Sequence, residues 1–134
     1  MSISVQALGR AIKQLQYKHH RALETRLVAI GASLAQWDAL RAIEQNPGAS
    51  SHDLAELTFQ TDQSFGALAT RLAAKGLVER EPGKGRVIGY RLKTKGAELL
   101  RRGDAATEEE LTRSFAPLGE EDRRRLQKLL DRLL

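Results

Sequence analysis

The run Pro82-Gly83-Lys84-Gly85-Arg86 places two cations on a turn-forming stretch between two segments of alternating apolar residues. Neither side chain is a candidate acid, base or nucleophile in that setting. An ammonium and a guanidinium on an exposed turn pair with phosphate oxygens, and a planar guanidinium also suits a narrow groove of strongly negative potential. Earlier in the chain, Thr61, Gln63 and Ser64 open an amphipathic segment. Glutamine can pair bidentately with an adenine edge, and hydroxyls reach base edges or phosphates. Ser50, Ser51 and His52 open the segment before it, where the N–H groups of a helix start attract phosphate. Arg71, towards the far end of the second segment, suits a phosphate or an internal carboxylate better than a base.

Other constellations yield no catalytic chemistry. His19 and His20 are adjacent on a helix, so their rings point about 100° apart and cannot chelate one metal from one turn. His52 is remote from both, and no metal site is expected. Glu108-Glu109-Glu110 and Glu120-Glu121-Asp122 look like paired carboxylates, yet their expected places are helix starts or a solvated face. Without cysteine the chain has no disulfide, thiolate ligand or thiol nucleophile. No Ser/His/Asp arrangement or phosphate-cradling loop is present, so neither an enzyme nor a cofactor is expected.

Charge distribution sharpens the polyanion reading. The net charge is +5, but residues 71–102 hold ten basic and three acidic side chains, a local +7, between segments that are nearly balanced. Such a block is the electrostatic footprint of a polyanion partner. The 134 residues fit one domain able to bury its own core. The start of the chain does not read as a secretory signal, and no window is apolar enough for a membrane span, so a soluble cytoplasmic protein is expected.

The elements that must position these side chains follow from periodicity. Val5, Leu8, Ile12, Leu15, Ala22, Leu23, Leu27 and Ile30 keep helical spacing and predict one long amphipathic helix, with His19 on its seam and Gly31 at its end. A second helix capped by Ser33 runs through Trp37 and Ile43 to Asn46-Pro47-Gly48. Ser50 and Asp53 form a capping-box-like start for a short third helix. Asp62 is expected to cap the fourth, with Phe65, Leu68, Ala69 and Leu72 inward and Lys75-Gly76 closing it. Leu77 to Glu81 and Val87 to Leu92 read as a hairpin, Ile88, Tyr90 and Leu92 sharing one face. Thr94 is expected to cap a long helix to Phe115 that Gly103 should weaken. After Pro117 and Gly119, a last helix carries Leu126, Leu129, Leu130, Leu133 and Leu134 on a side too apolar to face water.

This order resembles the multiple-antibiotic-resistance-regulator (MarR) family of bacterial transcription regulators over essentially the whole chain. The stretches that carry the likeness are residues 34–43 (Leu34 to Ile43), Leu54-Ala55-Glu56-Leu57, residues 71–80 (Arg71 to Arg80) and residues 90–96 (Tyr90 to Gly96). The resemblance implies a homodimer held by the first and last two helices, each subunit placing one helix in the major groove and one wing near the minor groove. A twofold dimer reads a pseudo-palindrome with half-sites about 34 Å apart. Arg86 matches the family's wing arginine, but Lys84 stands where an aspartate commonly orients it. Gly66 and Ala67 replace the threonine and arginine often found in the reading helix. Small residues there either permit close approach to the groove floor, with Ala67 touching a thymine methyl, or mark a helix that has drifted from sequence reading. The family also commonly binds small, often aromatic, anions in a cleft beside the dimerisation helices, which Tyr17, His20, Trp37 and Arg41 would line.

The expected fold is therefore mainly α, a single 1–134 domain. Residues 1–31 and 97–134 supply dimerisation helices, and 33–96 a winged helix-turn-helix lobe with a two-stranded β wing. The expected function is a homodimeric regulator of transcription bound to a double-stranded operator and released by a small effector. The alternatives are a winged-helix protein-interaction module and a ligand-binding dimer without operator recognition.

Overall fold

Each helix of the first half begins where a side chain can answer its unpaired N–H groups. In the computed structural model, which describes residues 2–82, 85 and 88–134, Ser4 caps α1 (Val5–Val28) and Ser33 caps α2 (Leu34–Gln45). The Ser33 hydroxyl accepts from the Gln36 N–H while the Gln36 side chain accepts from the Ser33 N–H, each at 3.1 Å. Ser50 and Asp53 form the same reciprocal pair at the head of α3 (Ser51–Leu57). Two such boxes fix where α2 and α3 start and hence the entry angle of the chain.

The next helix, α4 (Asp62–Ala74), corrects one expectation. Its cap is Thr61, whose backbone is still extended and whose hydroxyl accepts from the Ser64 N–H at 3.1 Å. Asp62 is already helical, and its carboxylate favours the helix N-terminus from inside the first turn. Phe59, in the turn before it, adopts a left-handed φ of 58° with its ring exposed to solvent. Nothing in the sequence pattern announced that conformation for an aromatic residue.

Strands β1 (Val78–Pro82) and β2 (Ile88–Leu92) pair antiparallel, Val78 opposite Leu92 and Pro82 opposite Ile88. Tyr90 is buried and Leu92 half-buried, but Ile88 is exposed because the hairpin has run past the core by that point. The sheet leads into α5 (Thr94–Phe115). Here Lys93 is the cap residue without a side-chain cap bond, and its N–H donates to the Leu77 carbonyl at 2.9 Å. The wing root, rather than the Thr94 hydroxyl, sets the start of this helix. Gly96 is buried against Leu77, where a Cβ would overlap the carbonyl oxygen.

Gly103 leaves α5 unbroken. It lies under the Trp37 ring and beside Leu27, and a Cβ there would overlap the ring. A residue expected to weaken the helix is the one that lets α1, α2 and α5 come together. The main core joins α2, α3, α4, the hairpin and α5 through Leu40, Leu54, Phe65, Leu72, Val78, Tyr90 and Leu100. The edge-on contact of Phe65 with Tyr90, centroids 6.1 Å apart, ties the back of α4 to the wing.

Two apolar faces stay uncovered in the single chain. Val5, Leu8, Ile12 and Leu15 on the first half of α1 are exposed. The last helix, α6 (Glu120–Asp131), buries no residue, and Leu129, Leu133 and Leu134 stand in solvent. Glu109 and Glu110 lie well inside α5 instead of at a helix start, and pair with Arg26 at 3.1 and 3.5 Å, fastening α1 to α5. No described helix is long and apolar enough to cross a membrane.

Candidate nucleic-acid interface

Burying Phe65, Leu68, Ala69 and Leu72 turns the opposite side of α4 outward. Gln63, Ser64, Ala67, Thr70 and Arg71 are all exposed there. Gln63, Ala67 and Thr70 follow helical spacing and share one face, the geometry of a helix that lays its outer stripe against another molecule. The Ser64 hydroxyl bonds the Gln60 side chain at 3.2 Å, and Thr61 is engaged as the cap, so Gln63 is the expected reader whose amide has no such local partner among the described residues. Arg71 forms no ion pair among the described residues.

Thr70 and Arg80 are two further residues that the sequence reading passed over. The Arg80 guanidinium, on β1, donates to the Thr70 hydroxyl at 3.2 Å, and that hydroxyl donates to the Gly66 carbonyl at 3.0 Å. The contact bridges the wing and α4 across the exposed face. Thr70 was legible as the next step of the 63, 67 stripe, whereas Arg80 required knowing that β1 passes over α4. Arg91, on β2, is instead paired with Glu79 and, at 3.6 Å, with Glu81. Lys84 and Arg86 lie outside the described residues. Gly66 has open space where a Cβ would stand, so internal packing does not require glycine there.

At the head of α3, Ser50 is the cap and Ser51 the first helical residue. His52 does not stand free: its Nδ1 is 2.9 Å from Asp62 and its Nε2 3.2 Å from Glu56. The hydrogen bond and charge of Asp62, followed by the charge of Glu56, raise its pKa above the ordinary histidine value. His19 behaves oppositely. Its Nε2 lies 2.6 Å from the Ser114 hydroxyl and its ring meets Phe115 edge-on, and burial together with Lys18 lowers its pKa.

Of the four residues expected to line an effector cleft, Tyr17 and His20 lie on α1 and Trp37 and Arg41 on α2. Trp37 donates to Asp104 at 2.9 Å, and Arg41 lies 5.9 Å above the Trp37 ring while bound to Asp38 and Gln45. Tyr17 is exposed beside Arg21, and His20 is exposed on α1. A cleft of about 420 Å³ opens elsewhere, where the end of α1, the end of α4 and the first turns of α5 meet. Ile30, Leu77 and Leu99 give it apolar walls, and Lys75, Lys95 and Arg102 bring three cations against one carboxylate, Glu98. None of the four expected residues lines it.

A helix pair with an exposed polar reading stripe, backed by a hairpin and flanked by cations, defines a winged helix-turn-helix protein. A model of the MarR family matches residues 30–86. The chain is 28% identical over 109 residues to an HTH-type transcriptional repressor of Mycobacterium tuberculosis, Rv2887, an alignment covering 80% of this chain and 78% of that one. The structure of Rv2887 with p-aminosalicylic acid superposes with a TM-score of 0.78 at 25% identity, covering 94% of this chain and 97% of that one. Rv2887 complexed with DNA gives 0.78 at 23% identity over 98% of each chain. Apo MarR of E. coli gives 0.81 at 23% identity over 100% of this chain and 99% of that one. Over residues 30–86 the chain is thus similar to the MarR family, and over most of its length it shares the fold of solved MarR-family proteins.

Proposed function

We propose that this protein is a homodimeric, sequence-specific DNA-binding regulator of transcription, a repressor whose operator is released by a small aromatic anion. The observation that carries the reading is the outward stripe of α4, Gln63, Ala67 and Thr70, joined to the wing by Arg80 and bordered by the most basic segment of the chain. In this reading Gln63 and Ser64 meet base edges, Ala67 meets a thymine methyl, and Ser50, Ser51 and Arg71 meet phosphates. Lys84 and Arg86 reach the minor groove from the wing tip. Residues 33–96 form the reading lobe, and residues 1–31 with 97–134 supply the uncovered apolar faces that a second copy fills. The relatives support it, since one is a repressor seen both with DNA and with p-aminosalicylic acid. Selection from a randomised duplex library with the purified protein tests it. A pseudo-palindrome with half-sites about one helical turn apart is the expected product, and recovery of no preferred sequence would refute operator recognition.

For the effector we infer the cleft of Lys75, Lys95 and Arg102, with Tyr17, His20, Trp37 and Arg41 as the second candidate lining. Its cations suit a carboxylate and its leucine and isoleucine walls suit a ring. It touches both the lobe and the dimerisation helices, so a ligand there favours one spacing of the two α4 helices over another. To shift occupancy decisively that preference must reach about 5 kcal/mol. Salicylate should release wild-type protein from the selected duplex, and the Lys95→Ala/Arg102→Ala double variant should need far more; equal sensitivity would move the effector site elsewhere.

A further inference from the structure

The helix that reads DNA in this proposal opens on a carboxylate that repels phosphate. Asp62 is the first residue of α4, immediately before Gln63, and Glu56 lies on α3 one turn after His52. His52 stands between the two. Its Nδ1 lies 2.9 and 3.1 Å from the two Asp62 carboxylate oxygens, and its Nε2 lies 3.2 Å from Glu56 Oε1. A neutral imidazole has one N–H and can donate to only one of these partners, whereas an imidazolium donates to both. The remaining charged group near the ring, Asp53, has its carboxylate engaged by the Ser50 N–H. The same carboxylates raise the pKa of His52, the Asp62 hydrogen bond contributing most.

We propose that His52 is a protonation-dependent positioning residue, which as an imidazolium clamps α3 to the first turn of α4 and masks Asp62 and Glu56 from the incoming phosphates. The role rests on the DNA-binding function proposed above. Loss of the proton leaves two carboxylates exposed at the reading end and releases one arm of the clamp. Phosphate in the groove favours the charged ring, so DNA binding takes up a proton and weakens as pH rises through the His52 titration.

Two measurements test it, and His52 is exposed enough that its substitution leaves the core intact. Fluorescence anisotropy on the duplex recovered by library selection should show wild-type affinity falling about fivefold between about pH 6 and about pH 8 at constant salt. His52→Arg, which keeps the charge, should bind at the tighter level across the range, and His52→Gln should bind at the weaker level across it. A His52→Gln protein with the wild-type pH dependence, or His52→Arg behaving as His52→Gln, overturns the proposal. In the free protein, the backbone amides of Asp62 and Gln63 should titrate with the His52 ring by NMR; amides that ignore it also overturn the clamp. Because that arm contains no DNA, it separates a failed clamp from a failed DNA-binding reading, which would show as wild-type protein binding no duplex at either pH.

Discussion

Two glycines separated by the hairpin make opposite predictions. Gly66 lies on the outer side of α4 with open space at its missing Cβ. Gly66→Ala should therefore stabilise the protein by about 1 kcal/mol through helix propensity alone, read as a raised denaturation midpoint. If duplex affinity falls at the same time, the glycine is kept for close approach to the groove; unchanged affinity would remove that role. Gly96 is pressed on the Leu77 carbonyl, an atom fixed by the Lys93 hydrogen bond. Gly96→Ala should cost about 3 kcal/mol, the upper part of the range for overpacking, and a midpoint within error of wild type would contradict the packing described. His19 gives a pH prediction with a definite sign. Its folded-state pKa is lowered, so the unfolded chain binds more protons near neutrality, and its contribution is present above about pH 6.5 and lost as pH falls through the folded value. Urea midpoints at fixed protein concentration should drop with acidification less in His19→Gln than in wild type.

At the scale of elements, the chain announced the helices and the hairpin because their signals are local. Ser33 as a cap and Ser50 with Asp53 as a capping box were visible in the sequence and are present in the fold, which adds Gln36 as the reciprocal partner of Ser33. The hairpin showed itself through alternation broken by Pro82 and Gly83. Errors arose where a distant element decides. Thr94 lost the cap to the wing root, and Gly103 proved to be a seat for Trp37. The site followed the same division. The exposure of Gln63, Ser64 and Ala67 on α4 was readable from helical spacing, but the Arg80 to Thr70 bridge and the His52 clamp each need two elements placed side by side. Arg80→Ala should loosen the wing against α4 and weaken duplex binding about tenfold, with a loss near 1.4 kcal/mol. Lys84→Ala should instead reduce binding through charge alone, and the two are distinguished by whether selectivity among duplexes falls along with affinity.

For the molecule as a whole, the long helix and the tail expose leucines, valine and isoleucine that one copy leaves uncovered. Filling them with a second copy sets two reading helices at a fixed separation, which a single lobe cannot do. A Leu129→Glu/Leu133→Glu variant should therefore sediment as a smaller species and lose preference for a two-half-site duplex over a single half-site. The central claim is that the basic block around the wing and the outer face of α4 holds a duplex by its phosphates. The most direct test is the salt dependence of binding to the selected duplex. The logarithm of the association constant should fall linearly and steeply with the logarithm of salt concentration, and the Arg71→Ala/Arg86→Ala double variant should flatten that slope by about two phosphate contacts' worth. Binding that does not respond to salt, or a slope unchanged by removing both arginines, would contradict it.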